Sequence, residues 1–595
     1  MFSIKRKNSI LGLVCLSGFF TLHTQEVTRI DPPFWWAGMK NNVQLMLCGK
    51  NLKDCTVHSP EAGIKVENVY NADNSDYLFV DIKVHEHGDY MLEISSANGK
   101  KKVKVPYRIL QRRSGSAERT GFNTSDVIYL IMPDRFVNGD TSNDIIAGSP
   151  QVFDPSGLET RHGGDLQGII NNLDYLQDLG VTTIWATPIL DDKINYHQYG
   201  TTDYYKVDEH FGTNELYRDL VSRAHGKGLK VIQDVTPQHC GIDNPWVKNP
   251  PFKDWLNSLE QSGHWEYFSL ETMSDPYASN IDRDFTGNTI IYPQMPDMNM
   301  CNPFVVKYMA QTSIWWIEYA DLDGLRVDTY FYMGEKAKDW TALVRSEYPN
   351  MGIVGEIWGN QPPVLSFWLR MCNLNMVMDF PLHEAIITDF TKDNAHWGGK
   401  MRTIYNLLAL DFVYDSAEKS QVVFIDNHDT DRLYNMLKKD SSKVKLAMTL
   451  IATVRGLPQI YYGTEWLFAN DERGGAHKNR KDFVIPKEPT AAQQDVFNHI
   501  RTLLNFRKNT PVLHDGKFMH YIPSQGVYTY FRYNDTDCIM VVINASDKAQ
   551  HIDWARFNER LNGFGSGVDI LTGQEVEIGN QVEIAAANSM VIKLK

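Results

Sequence analysis

The chain of 595 residues predicts a (β/α)8 TIM-type barrel with an inserted subdomain after its third strand, flanked by N- and C-terminal β-sandwiches. Three observations carry that prediction. Between Val127 and Gly463 eight short apolar runs recur, with helically spaced segments between them. The gap after the third run is long and rich in aromatics. Outside this stretch, on both sides, the pattern changes to short alternating strands. An α/β barrel uses about 250 residues by itself, which leaves room for the flanking units.

In chain order, residues 1–24 read as a secretory signal. Lys5, Arg6 and Lys7 form a basic start, and Ile10 to Phe20 form an apolar run too short for a membrane helix. Small and polar residues follow from Thr21 to Gln25, so cleavage is expected near Thr24 or Gln25. Loss of three basic residues and no acid takes the net charge from −14 to −17. No other span is apolar for long enough to insert stably in a membrane, so the mature protein is expected to be soluble and exported. Residues 25–112 read as the N-terminal β-sandwich, with strands such as Val43 to Leu47, Tyr77 to Val84 and Lys101 to Tyr107 and a turn at Asn98-Gly99. Phe34, Trp35 and Trp36 either contact a sugar or partner or seal this domain against its neighbour. The same domain is a candidate dimerisation element, which makes a homodimer one expected assembly.

Gln111 to Ser125 is polar and glycine-containing, as a linker is. The barrel is assigned to residues 113–510. Its strands are expected at Val127–Met132, Val181–Thr187, Leu229–Thr236, Asp323–Tyr330, Gly352–Trp358, Met376–Phe380, Val422–Asp429 and Leu457–Gly463. Leu166, Ile169, Ile170, Leu173, Leu176 and Leu179 predict one helix over Asp165–Leu179, stopped by Gly180. Glu215–His225 is a second helix, closed by Gly226 and Gly228. Residues 240–302 hold Trp246, Trp255 and Trp265 and many prolines, which suits a folded insertion better than a disordered loop. Residues 511–595 return to alternating strands, Val527–Tyr533, Cys538–Ile543 and Met590–Lys595, and form the C-terminal sandwich.

Composition excludes some classes. The acidic balance and the lack of a basic patch argue against nucleic acid. After the signal, Cys48, Cys55, Cys240, Cys301, Cys372 and Cys538 show no CxxC spacing, which disfavours zinc or redox work. Cys48 and Cys55 are near enough in sequence to bridge, and free thiols are the equal alternative. Aromatic residues make up 12%, which suits either large cores or a site that stacks flat faces.

The chemistry is expected where strands end at the C-terminal rim. The third strand ends in Asp234 and runs on to His239, the fourth carries Arg326 and Asp328, the fifth ends in Glu356 before Trp358, and the seventh ends in His428 and Asp429. Arg326 and Asp328 alone read equally well as a buried ion pair. Four such strand ends on one rim gather like charges, which stability does not explain. Carboxylates, imidazoles and an arginine without a thiolate suit glycoside chemistry, in which one ionised carboxylate attacks and one protonated carboxyl serves as acid, then base. Arg326 would keep Asp328 ionised, and the apolar run before Glu356 would raise its pKa. A metal held by His239, His428 and carboxylates is the weaker reading, since no helical HxxxH pair is present.

The residues that carry these groups resemble the α-amylase family, glycoside hydrolase family 13. DVTPQHC (Asp234–Cys240), GLRVD (Gly324–Asp328), GEIW (Gly355–Trp358) and FIDNHD (Phe424–Asp429) are similar to four of its sequence blocks. MPDMN (Met295–Asn299) resembles the block typical of its neopullulanase and cyclomaltodextrinase branch. The resemblance spans essentially the whole mature chain. It implies Asp328 as nucleophile, Glu356 as general acid/base and Asp429 as transition-state stabiliser. It further implies that Arg326 orients the nucleophile, that His239 and His428 contact the sugar, and that Tyr199 in YHQYGTTDYY stacks on it. Trp358 joins this substrate-binding set. The implied reaction is retaining hydrolysis of α-1,4-glucosidic bonds in an α-glucan, with the two carboxyls about 5 to 5.5 Å apart. A transglycosylase and a catalytically silent glucan-binding protein are the alternatives.

NGDTSND (Asn138–Asp144) and HGGD (His162–Asp165) resemble the calcium loop of the branch, which implies a structural Ca2+ on Asn138, Asp140, Asn143, Asp144, Gly163 and Asp165. Oxygen donors at short spacing suit that ion, and a metal-free Asx-rich turn is the alternative. The chain departs from the family pattern in places. Gln238 stands where Asn is usual, Gln198 where Gly is usual and is expected at the cleft wall, and Tyr330 to Tyr332 replace a Lys-His pair. Leu467 to Lys481 does not map onto any of these blocks.

Overall fold

The computed structural model describes residues 25–257, 264–289, 292–392, 399–414, 420–475 and 477–595, so the expected signal, residues 1–24, lies outside the described residues. The N-terminal domain is two four-stranded sheets. One is ordered Glu26–Asp31, Val43–Lys50, Tyr77–Val84, Ile64–Asn71, and the other Trp35–Ala37, Lys102–Gln111, Gly88–Ser95, Thr56–His58. Alternate residues of these strands face the layer between the sheets, which is why the period of two was readable. The Phe34–Trp36 cluster does seal this domain onto the barrel: the Phe34 ring lies 5.1 Å from Trp315, and Trp36 lies 6.3 Å from it. Polar contacts flank the seal. Arg29 pairs with Asp203 through two bonds of 2.6 and 2.7 Å, and the buried Arg112 donates to Glu347 at 3.1 Å.

Eight parallel strands close the barrel. They are β1 (Ile128–Ile131), β2 (Thr183–Ala186), β3 (Lys230–Val235), β4 (Gly324–Val327), β5 (Gly352–Gly355), β6 (Met376–Met378), β7 (Gln421–Phe424) and β8 (Leu457–Tyr461). Each is covered on both faces, by helices outside and by packed side chains inside, so each reads as a continuous apolar run. The strands are shorter than the sequence reading at their C-terminal ends. The β4 strand ends at Val327 and β7 at Phe424, so Asp328, His428 and Asp429 stand on the loops beyond and not on the strands. The expected single helix over Asp165–Leu179 is two, α1 (Leu166–Asn171) and α2 (Leu173–Leu179). Asn172 breaks it: its backbone leaves helical geometry (φ −111°, ψ 12°), and its side chain donates to the Gly168 carbonyl at 2.7 Å. Helix α3 (Asn214–Gly226) is capped by the Thr213 hydroxyl.

The insertion after β3 is folded, with short helices at Pro245–Lys248 and Asn280–Gly287 and a core that buries Trp246 and Trp255 with ring centroids 5.4 Å apart. It returns to the barrel in helix α4 (Pro303–Ala320), whose first turn is capped by Asn302. The C-terminal domain is a six-stranded sheet, Lys517–His520, Val527–Tyr533, Cys538–Asn544, Asn588–Leu594, Ser566–Asp569, Glu575–Glu577, with a two-stranded sheet, Gln550–His551 and Glu583–Ile584, beside it. Arg532 ties it to the barrel by donating to the carbonyls of Thr453 and Val454 at 3.1 and 2.8 Å. Cys48 and Cys55 are unbridged free thiols. Among the described residues no helix is long and apolar enough to cross a membrane.

Candidate active site

The site begins with the register of two neighbouring strands, which sets Asp234 of β3 beside Arg326 of β4. Both are about 1% exposed. The Arg326 guanidinium donates to both Asp234 oxygens, at 2.9 and 3.1 Å, and to Asp328 Oδ1 at 2.8 Å. Its other terminal nitrogen lies against Glu356 Oε1. Trp185 and Tyr199 flank the cation with ring centroids 5.1 and 5.9 Å away, and Trp185 Nε1 donates to Asp234 at 3.0 Å. Ladder-like backbone bonds continue past the strand ends, Asp328 N–H to Val235 at 3.0 Å and Glu356 N–H to Val327 at 3.0 Å, and they aim both carboxyls at the rim.

One guanidinium cannot neutralise three carboxylates in a buried place. Desolvation pushes the Glu356 carboxyl up to about 8; Arg326 opposes the shift, and the charges of Asp328 and Asp429 reinforce it. Burial likewise raises Asp234 to about 7, against Arg326 and with Asp328. Glu356 is therefore a carboxyl that holds its proton at neutral pH.

Asp429 faces this cluster across the cleft and behaves oppositely. Enclosure pushes its pKa up, but His428 and Arg480 outweigh that and hold it below the usual Asp value. Arg480 donates to Asp429 Oδ1 at 2.9 Å and to the His428 carbonyl at 2.9 Å. His428 Nε2 lies 2.6 Å from the Tyr199 hydroxyl and 3.2 Å from Asp429, and burial lowers its pKa to about 4. Tyr199 stacks on His428 with an interplanar angle of 3°. His239 donates from Nε2 to the Tyr199 carbonyl at 2.8 Å, and its other nitrogen stands 4.0 Å from Asp328. Burial lowers the His239 pKa, so that second nitrogen is a neutral acceptor suited to a hydroxyl donor.

Asp328, Glu356, Asp429, Tyr199, His239 and Arg480 line one cavity of about 660 Å3, together with Trp358, Phe331, Tyr332, Phe268, Tyr292 and Gln238. Trp358 is 40% exposed and lies on Phe380 with centroids 4.5 Å apart, so its outer face is open. Thus Asp328, Glu356, Asp429, Tyr199, His239 and Trp358 share one cleft, while His428 and Arg326, each 1% exposed, stand behind it, His428 against Tyr199 and Asp429 and Arg326 against Asp328 and Glu356. Tyr330 is fully buried below the cleft, with its hydroxyl 2.6 Å from Thr341, because only the two residues after it face outward. One sequence expectation is corrected. Gln198 is also fully buried, turned from the cleft wall to donate to Asp208 at 3.1 Å.

Arg480 and His477 were not found from the sequence. They come from the segment 467–481, where no periodicity marks a loop residue that reaches another loop. Replacing Arg480 with Gln is expected to lower kcat/KM by roughly 10- to 100-fold, the worth of one hydrogen bond to a charged group. The acid limb of the pH profile moves upward as Asp429 loses its cation; unchanged steady-state kinetics would remove Arg480 from the site.

The oxygen-rich loop lies apart from the cleft. The Asp165 carboxylate is fully buried and accepts N–H groups from Gly139, Asp140 and Gly168 at 3.1, 2.8 and 2.6 Å. Asn143 is 8% exposed, and its Oδ1 is buried without a partner. Gly163 adopts φ +87°, and a Cβ there would come within 2.5 Å of Asp144 Oδ1 and 2.6 Å of Asn138 Nδ2, so only glycine leaves that space open. Asp140 instead accepts from its own Ser142 at 3.0 Å. Among the described residues no three His, Cys, Asp or Glu side chains form a metal cluster. The donors here are amide, carbonyl and carboxylate oxygens, and the orphaned Asn143 oxygen fits a hard cation.

Comparison with known proteins follows the same division of the chain. Residues 130–495 match the family described as alpha amylase, catalytic domain; residues 29–113 match cyclomaltodextrinase, N-terminal; and residues 518–593 match the cyclo-malto-dextrinase C-terminal domain. A cyclomaltodextrinase of Thermoanaerobacter pseudethanolicus is 30% identical over 473 residues, 79% of this chain and 78% of that protein. An intracellular maltogenic amylase of Bacillus subtilis is 31% identical over 442 residues, 73% of this chain and 71% of its own. The crystal structure of an Anoxybacillus alpha-amylase superposes with a TM-score of 0.68 at 27% identity, covering 79% of this chain and 98% of that one.

Proposed function

The chain belongs to the α-amylase family of glycoside hydrolases, and we propose that it cleaves α-1,4-glucosidic bonds in starch-derived oligosaccharides, pullulan or cyclodextrins with retention of configuration. The observation that carries this reading is the single Arg326 guanidinium that holds Asp328 and touches Glu356. It keeps an attacking carboxylate and a proton-bearing carboxyl close together, as a retaining mechanism needs. In the first step an Asp328 oxygen bonds to the anomeric carbon while Glu356 protonates the departing oxygen. In the second, Glu356 takes a proton from water, and that water displaces Asp328. Asp429 holds ring hydroxyls as charge develops at the anomeric centre, and Tyr199, held in place by His428, gives the sugar a flat, neutral wall.

Chromatography of products from maltooligosaccharides, pullulan and β-cyclodextrin tests the reading. Release of new reducing ends from at least one supports it, and intact substrates throughout would overturn it. The open face of Trp358 and the Phe331–Tyr332 wall favour a second activity, transfer of the glucosyl unit to an acceptor sugar stacked there. With added maltose that activity gives products longer than the substrate.

The same proposal assigns a structural Ca2+ to Asn138, Asn143, Asp144, Gly163 and Asp165, with Asp140 contributing to the loop. Bound there, the ion would tie the loop after β1 to the start of α1. EGTA is expected to lower the unfolding midpoint by several degrees, and Ca2+ to restore it where Mg2+ does not; a midpoint indifferent to EGTA would refute the assignment. Export to the periplasm rests on residues 1–24, and is checked by finding a mature N-terminus near Gln25 in the periplasmic fraction. Self-association through the free face of the N-terminal domain completes the proposal. Light scattering of the full chain tests it, with a monomer at all concentrations as the contrary result.

A further inference from the structure

Thr329, the residue after Asp328, has a backbone that its side chain disfavours. Its φ of +33° and ψ of 49° lie in the left-handed region, which a β-branched residue rarely occupies. Strain of this kind persists only where the surroundings enforce it. Here the turn delivers two contacts from one residue. The Thr329 N–H donates to Glu356 Oε2 at 2.9 Å, and the Thr329 hydroxyl donates to Asp328 Oδ2 at 3.0 Å. Gln238, from the loop after β3, closes the arrangement. Its amide nitrogen donates to the Thr329 hydroxyl and, at 3.2 Å, to the same Asp328 oxygen. The direction is fixed by chemistry, since an ionised carboxylate only accepts. The Gln238 backbone carbonyl accepts from Met298 N–H at 2.7 Å, which ties that loop to the inserted subdomain.

We propose that Thr329 and Gln238 are a positioning clamp that fixes the rotation of the Asp328 carboxylate and couples it to Glu356. Arg326 holds one oxygen of Asp328, and the clamp holds the other. Thr329 touches both carboxyls, so the spacing between nucleophile and acid is set by one residue. Gln238 is one of the positions where this chain departs from the α-amylase pattern, and its amide reaches both the hydroxyl and the carboxylate. The inference rests on the reading of Asp328 as nucleophile.

The test uses a 5-fluoro-α-glucosyl fluoride, with which an Asp328 oxygen bonds to the anomeric carbon as the C–F bond breaks and fluoride leaves. The adduct is mapped by mass spectrometry in the full chain and in Thr329→Val, Thr329→Ser and Gln238→Leu. Thr329→Val, which keeps the branched shape and loses the hydroxyl, is expected to slow both labelling and kcat by roughly 10- to 100-fold. KM stays within about twofold, because uniform binding is untouched. Thr329→Ser restores the rate, and Gln238→Leu shows the same kind of loss as Thr329→Val. Arg326, Asp234, Glu356, His239, His428 and Asp429 also face Asp328, and they are unchanged throughout. Labelling of Thr329→Val and Gln238→Leu at the parent rate, or Thr329→Ser as slow as Thr329→Val, overturns the clamp alone. A parent adduct on a residue other than Asp328 overturns the nucleophile reading and the clamp with it.

Discussion

Asp328→Asn is expected to lower kcat on maltotriose by about 10^4-fold or more, as loss of a covalent nucleophile does. The fold should survive, because Asn keeps the shape of the side chain and its one amide oxygen can still accept from Arg326, although the NH2 that replaces the other oxygen no longer accepts from Thr329 and Gln238. KM should change little, since Asp328 contributes to the transition state far more than to ground-state binding. Steady-state kinetics beside a thermal unfolding curve checks this. A folded variant retaining more than about a hundredth of the parent kcat would remove Asp328 from covalent catalysis.

Glu356→Gln is the second large effect, and it depends on the leaving group. With a maltooligosaccharide the departing oxygen needs a proton, and loss of the acid is expected to cost about 10^2- to 10^4-fold in kcat. With α-glucosyl fluoride the leaving group needs none, so bond cleavage is largely spared. The parent activity should fall as pH rises through about 8, the value to which burial pushes Glu356, and the Gln variant should lack that limb. Stability follows the same group with a definite sign. The folded-state pKa is raised above the ordinary Glu value of 4.5, so between there and about 8 the folded chain holds a proton that the unfolded chain releases. Parent stability therefore declines as pH rises across that window, whereas the neutral Gln carries no such dependence. The variant should be relatively more stable at pH 8 than at pH 5; a constant difference would contradict a raised pKa.

The barrel was legible because strands buried on both faces are continuous apolar runs, and the sandwiches because their strands alternate. The rim groups Asp234, Arg326, Glu356 and Asp429 were legible because charge at the end of an apolar run is costly without a reason. What the sequence could not show lies in contacts between loops. Nothing in the segment 467–481 says that Arg480 reaches Asp429. Nothing around Gln198 says that its amide turns to Asp208, away from the cleft. The break at Asn172 was hidden because apolar spacing continues across it, while the side chain competes for a backbone carbonyl. Nothing in the sequence singles out Thr329, since a left-handed φ leaves no mark on composition.

The central claim is that Asp328 and Glu356, gathered on one guanidinium, carry out a double displacement. Proton NMR of the first product formed from a maltooligosaccharide tests it most directly, recorded before the anomers equilibrate. The α-anomer should appear first, with the β-anomer following only by mutarotation. Initial appearance of the β-anomer would mean a single displacement by water and would contradict the account.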